Sequence, residues 1–421
     1  MKAFVTGASG FIGNRVARKL IKRGYDTWLL ARSPEKLADL VALGAHVAPG
    51  DINDVNSMRE AMRGSDVVFH IAGWYKIGTL EPGQGWHTNV DGTAHVLALA
   101  HELGVRRIVY TSTVAVFGDT HGRLVDEHYH NPGGEFPTEY DRTKWIAHYK
   151  VALPLIERGA PIIIVMPGGV FGPGDNSLVG DSLRLFYRGL LPILPGPDTQ
   201  WTYAYVDDVA EGHILAAERG RQGECYILAG PALSLGEIAD LWAQGSGRPA
   251  PRLRIPARFL RPSAPLMDAI GSLIPLPGLL SGEAARDVGF SYLASSDKAR
   301  RELGWSTRPV EEGLRDTFAW LAESEPEAPA GHKQWTLRLL ADKMVELAYI
   351  DGISHETVRQ VLKKRNQTLA ERRMVHSARS QRRVCVPFCV PYGRCAGSVH
   401  LALRPALPAG VLRRDQQATD R

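Results

Sequence analysis

Tyr140 and Lys144 stand four residues apart in Tyr-Asp-Arg-Thr-Lys, which places a phenol and an ammonium on one face of a helix. A phenol alone, with a pKa near ~10, is a poor acid or base at neutral pH. A cation held beside it stabilises the phenolate and brings proton exchange into range. Upstream, Ser112 and Thr113 follow the apolar run 107–110, where a hydroxyl could polarise a carbonyl. The same Tyr-x-x-x-Lys spacing also arises on an ordinary amphipathic helix face, so the pair needs support from the elements around it.

That support starts at the other end of the chain. Gly7, Gly10 and Gly13 fall between an apolar run at 2–6 and a helical period carried by Ile12, Val16, Leu20 and Ile21. A glycine triplet placed there lets the chain turn tightly and brings a pyrophosphate against N–H groups at a helix N-terminus. Ser9, Phe11 and Ile12 complete the candidate cofactor loop. At the end of the second apolar run the chain reads Ala31-Arg32-Ser33. No carboxylate is there for a ribose 2′-hydroxyl, and Arg32 offers a guanidinium to a 2′-phosphate, which favours NADP over NAD; a solvated surface arginine is the plainer reading.

Further apolar runs at 26–30, 45–48, 67–71, 107–110 and 162–165 read as strands, with helical segments such as 57–62 and 93–103 between them. Strands alternating with helices over about 150 residues imply a parallel sheet covered on both faces. The expected fold class is therefore α/β, a Rossmann-type doubly wound sheet. Its cofactor domain is drawn over 1–166, with parts of 167–215 completing it. From about residue 168 the pattern loosens into proline-rich loops and helices, giving a smaller substrate-covering part over 167–323 that closes with a helix at 310–321. The stretch 264–280 is strongly apolar but holds Asp268 and three prolines. It falls short of the ~20 apolar residues that a membrane span needs, and reads as a buried or substrate-covering segment, with loose membrane contact as the lesser alternative. The chain passes from Met1 and Lys2 straight into a strand, and its four cysteines form no secreted framework. The reading expects no signal peptide, no membrane association and a cytoplasmic location.

Several motifs in order resemble the extended short-chain dehydrogenase/reductase family, the NAD-dependent epimerase/dehydratase group, over residues 1–323. They are TGASGFIG at 6–13, GDI at 50–52, HIAG at 70–73, NVDGT at 89–93, TSTVAVFG at 111–118, YDRTK at 140–144, PGGVFGPGD at 167–175 and YVDDVAEGH at 205–213. The resemblance implies that Tyr140 is the general acid/base. Lys144 would lower its pKa and hold the nicotinamide ribose, and Thr113 would supply the catalytic hydroxyl, with Ser112 its nearest substitute. It also implies that Asp51 and Ile52 flank the adenine and that Ala72, Asn89 and Pro167 line the cofactor cleft. Plainer readings stand beside these: Asn89 as a helix cap, His70 as packed, Asp207 and Asp208 as structural, and 166–174 shaping the pocket through backbone alone.

Sugar-nucleotide members commonly carry an Asn in the segment matching 166–170 and a basic residue before the YVDD segment. This chain has Met-Pro-Gly-Gly-Val and Trp-Thr-Tyr-Ala at those places. A diphosphate needs such donors. With Trp74, Tyr75, Trp86, Trp201 and Tyr203 near these motifs, the sequence is more similar to the dihydroflavonol-reductase-like branch. That implies hydride transfer between NADP(H), with NAD as the other candidate, and a small-molecule ketone, aldehyde or secondary alcohol. Two alternatives stay open: a sugar-nucleotide epimerase or dehydratase with tightly held NAD(P), and a DNA-binding regulator using the cofactor domain as a redox sensor. A homodimer is compatible with either enzyme reading.

The last part differs in charge. Residues 331–421 carry 17 Lys and Arg against 7 Asp and Glu, whereas 1–330 are net acidic by five. After a linker at 324–331, the segment 332–373 has helical periods at 337–347 and 354–364, with Ser354 as N-cap and His355, Arg359 and Lys363 on one face. Over 331–364 it resembles the helix-turn-helix part of mariner-like insertion-sequence transposases, without the carboxylate-bearing catalytic domain that would follow. DNA binding by this segment, if present, is expected to be a remnant without function. Residues 374–421 hold eight arginines and no lysine, as in a frameshifted or disordered tail. Cys385, Cys389, Cys395 and His400 match no common zinc spacing, so no metal site is expected.

Overall fold

The computed structural model describes residues 1–78, 83–273 and 278–324, together with the short strands Phe388–Cys389 and Cys395–Ala396. The chain divides into two units, Met1–Glu323 and Ser324–Arg421. In the second unit, the described strands pair antiparallel with Phe388 opposite Ala396. The linker, the helix-turn-helix segment and the cysteine–histidine set otherwise lie outside the described residues.

The first unit is built on seven parallel strands: β1 (Lys2–Thr6), β2 (Asp26–Ala31), β3 (His46–Pro49), β4 (Val67–His70), β5 (Arg107–Thr111), β6 (Ile162–Pro167) and β7 (Cys225–Leu228), in spatial order β7-β6-β5-β4-β1-β2-β3. The order reverses beside β1, which pairs with β2 on one side and β4 on the other. An open α/β sheet binds its ligand at such a reversal, outside the carboxyl ends of the strands. Central strands such as Val67-Val68-Phe69-His70 are buried at every residue, so they appear as continuous apolar runs rather than alternating ones.

Helices cover both faces. On one side α1 (Phe11–Lys22) packs its Val16, Ala17 and Leu20 into the core beneath α5 (Val206–Arg219). On the other lie α2 (Gly92–Glu102) and α3 (Glu139–Ile146), which carries Tyr140 and Lys144. A separate core of Phe171, Phe186, Tyr203, Tyr205, Trp242 and Phe318 holds the smaller part, which contains α4 (Leu178–Tyr187) and α6 (Gly282–Asp287).

Later residues also build this unit: α5 packs on α1, and β7, at 225–228 beyond the 167–215 drawn from the sequence, adds the sheet's seventh strand beside β6. One expectation needs correction. The apolar stretch 264–280 is only partly buried among its described residues, Ala264 being 2% exposed. Its helix Ala264–Leu273 leaves Leu266 63% and Ile270 40% exposed, and Leu280 is 53% exposed. Among the described residues no helix is long and apolar enough to cross a membrane.

Candidate active site

A cleft of 530 Å³ runs along the carboxyl ends of the strands. Its first wall is the glycine loop. Gly7 has φ +79°, and a Cβ there would stand 2.5 Å from the Ala72 nitrogen. A Cβ on Gly13 would come within 2.1 Å of the Gly7 carbonyl oxygen, so helix and loop pack backbone on backbone. Helix α1 starts at Gly10 with no side-chain cap and no acidic residue in its first turn. Its leading N–H groups and the positive end of its dipole are thereby left to a ligand, and an anion fits there. These features suit the pyrophosphate of a dinucleotide.

Gly7, Ser9, Gly10, Phe11, Ile12, Gly13, Arg32, Asp51, Ile52, Ala72 and Pro167 all line this cleft. Arg32 follows β2 with its side chain 74% exposed, and its Nε lies 3.9 Å from Asp51. That is a loose pair in water, worth little by itself. Asn89 is placed differently from the expectation. It is 1% exposed and does not line the cleft; its amide accepts from the Trp74 N–H at 2.8 Å and donates to the Trp74 carbonyl at 3.0 Å and to Thr143 Oγ1 at 2.9 Å. Asn89 caps no helix either; it ties the loop after β4 to α3.

Helix α3 begins at Thr138, whose hydroxyl accepts from the Asp141 N–H at 3.1 Å. Glu139 and Arg142 close an ion pair at 2.7 Å on its outer face, leaving Tyr140 and Lys144 to the cleft. Thr113, just after β5, lines the cleft beside Tyr140, with its hydroxyl close enough to favour the phenolate. It is also the cap of the short helix Val114–Phe117. Burial holds the Tyr140 phenol above its ordinary pKa, partly offset by the nearby Thr113 hydroxyl. The ring of Tyr75 meets that of Tyr140 edge-on at 4.7 Å.

Lys144 is 5% exposed. Its Nζ donates to the Thr111 carbonyl at 2.7 Å and lies 3.4 Å from the Tyr110 hydroxyl, over whose ring it sits. No hydrogen bond joins it to Tyr140 among the described residues. Burial pulls its pKa down to about 7. Ser112 lines the cleft, but its hydroxyl is engaged with His148 Nδ1 at 2.9 Å, so Thr113 is the hydroxyl that partners Tyr140. His70 is wholly buried between Thr6 (2.8 Å) and Thr93 (3.0 Å), with its pKa lowered to about 3 by burial. Asp208 holds Arg308 at 2.9 Å.

Residues 3–229 match the model of the NAD dependent epimerase/dehydratase family. The chain belongs to that family. A putative dihydroflavonol 4-reductase of Synechocystis is 31% identical, with 75% of this chain and 93% of the relative covered. A 4-hydroxy-2-methyl-3-oxo-4-farnesyl-3,4-dihydroquinoline-1-oxide ketoreductase of Stigmatella aurantiaca is 32% identical, covering 73% and 92%. Among solved structures, that of gox2253 aligns with a TM-score of 0.66 at 33% identity, covering 76% of this chain and 98% of that one. The family member described here is thus an NAD(P)-dependent enzyme of the extended short-chain dehydrogenase/reductase type. The family match ends at residue 229 and carries no argument for a transposase-like segment at 331–364.

Missing from the sequence reading are the carboxyls at the cleft's far end, Asp141, Asp175 and Asp287, and Tyr292 beside them. Asp141 was legible as the neighbour of Tyr140. Asp287 had no local signal.

Proposed function

We propose that the chain transfers hydride between NADP(H) and a ketone, aldehyde or secondary alcohol carried on a largely apolar frame. The observation that carries this reading is the Thr113–Tyr140 hydroxyl pair, which opens onto a cleft end walled by Trp74, Tyr75, Trp201 and Tyr292. The bound nicotinamide would supply or accept the hydride. Thr113 and Tyr140 grip the substrate oxygen between two hydroxyls. Tyr140, kept protonated by burial, gives its proton to that oxygen as negative charge grows on it. Lys144, one turn along α3, favours the phenolate left behind by its charge. An amine with a pKa of about 7 also exchanges protons readily at neutral pH. Arg32, exposed and only loosely paired, supports NADP over NAD.

The test is NADPH oxidation across aldehydes, ketones and nucleotide sugars. Ketone-dependent oxidation is expected, with kcat falling about 10³-fold in Tyr140→Phe. Full activity in that variant would overturn the mechanism. Conversion of a nucleotide sugar without net NADPH consumption would move the chain to epimerisation instead.

A further inference from the structure

The proposed hydride transfer leaves two carboxyls in the cleft without a task. Asp141 and Asp287 are 4% and 7% exposed, and both line the cavity. Asp141 sits in the first turn of α3, whereas Asp287, 146 residues later in the chain, ends α6. The Thr138 hydroxyl bonds Asp141 Oδ2, and the Tyr292 hydroxyl donates to Asp287 Oδ1 at 3.0 Å. No cation pairs with either carboxyl among the described residues. Arg142 is closed on Glu139 at 2.7 Å, and Arg286 on Asp268 at 2.7 Å. Burying a carboxyl without a countercharge is costly. Here that cost falls on two such groups in the wall of one cleft.

We propose that Asp141 and Asp287 form a second polar subsite of the cleft, which hydrogen-bonds a neutral hydroxyl or carbonyl oxygen of the substrate and turns away anionic groups such as a nucleotide sugar's diphosphate. This rests on the carbonyl-reductase reading of the same cleft and names its substrate class. Burial, and for Asp141 the neighbouring charge of Asp287, raise the pKa of both carboxyls. Two such groups do not readily ionise together, so the pair presents an O–H donor beside an acceptor. A third wall carboxyl, Asp175, is 3% exposed and its Oδ2 has no hydrogen-bond partner. The cations lining the cleft are Arg32, beside Asp51, and Lys144, which is bonded to the Thr111 carbonyl. An anion at this end therefore meets three carboxyls against the single amine of Lys144.

The experiment is calorimetric titration of the full-length protein, saturated with NADPH, with three matched alcohols: 1-phenylethanol, 4-(1-hydroxyethyl)phenol and 4-(1-hydroxyethyl)benzoate. The wild type is expected to bind the phenol about fivefold more tightly than 1-phenylethanol, and the benzoate at least about tenfold more weakly. In the double variant Asp141→Asn, Asp287→Asn the penalty on the benzoate should shrink about tenfold. Tyr292→Phe, which removes only a hydroxyl, should reduce the preference for the phenol. Wild-type binding of the benzoate as tight as that of 1-phenylethanol, or an unchanged ranking in the double variant, overturns the subsite; the first of these needs no variant to fold. The corresponding ketones are assayed in parallel for NADPH oxidation. Failure to reduce any of them would count against the hydride-transfer reading, while the binding ranks still decide the subsite.

Discussion

Replacing Lys144 by methionine separates what the amine does for the reaction from what it costs the fold. Methionine keeps an unbranched chain of similar length. In the folded protein the amine is 5% exposed and held by the Thr111 carbonyl at 2.7 Å, and burial lowers its pKa from 10.5 to about 7. In the unfolded chain a lysine keeps its proton up to pH ~10.4. Between these values the unfolded state binds more protons than the folded one, so stability at this site rises with pH. The depressed pKa represents a penalty on the order of 4 kcal/mol at pH 7, fading to about 1 kcal/mol by pH 10. Leaving the Thr111 carbonyl without its donor takes back about 1–3 kcal/mol. Lys144→Met is therefore expected to be inactive yet more stable than wild type by about 1–3 kcal/mol at pH 7, with the advantage shrinking or reversing by pH 10. Urea unfolding of both proteins at pH 7, 8.5 and 10, without nucleotide, measures this directly. A stability difference that does not change with pH would refute the reasoning, whatever its sign.

Three further outcomes follow from the geometry. Gly13→Ala puts a methyl group 2.1 Å from the Gly7 carbonyl oxygen; the loop must open, and NADPH affinity by fluorescence titration should fall by about 100-fold or more. Arg32→Ala should raise the KM for NADPH by roughly tenfold while leaving that for NADH nearly unchanged, given the usual worth of a charge-assisted phosphate contact. Asn89→Ala removes three buried hydrogen bonds joining the loop at Trp74 to α3. It should cost roughly 2–4 kcal/mol in urea unfolding, and kcat should fall with it.

The parts of this fold readable from the sequence are those with local rules. Strands β1 to β6 are apolar runs bounded by turns, and the glycine loop announces itself because its backbone contacts exclude a side chain. Tyr140 and Lys144 are readable because helical spacing alone puts them on one face. What escaped notice depends on distant partners. Strand β7 is four residues long and gains its meaning only from pairing with β6. Asn89 looked like a cap or a cleft residue because its true partners, Trp74 and Thr143, lie 15 residues before it and 54 after it. Composition likewise made 264–280 apolar without saying whether another element would cover it, and Leu266 is left facing solvent.

The two walls of the cleft have separate addresses in the chain. The groups proposed to move the proton, and most of those proposed to hold the dinucleotide, lie within the first 144 residues, whereas Asp287 and Tyr292 come from a late excursion. Mutations that accumulate in that excursion can retune what is accepted without disturbing how it reacts. Descendants of one such gene can thus diverge in diet while inheriting the same chemistry.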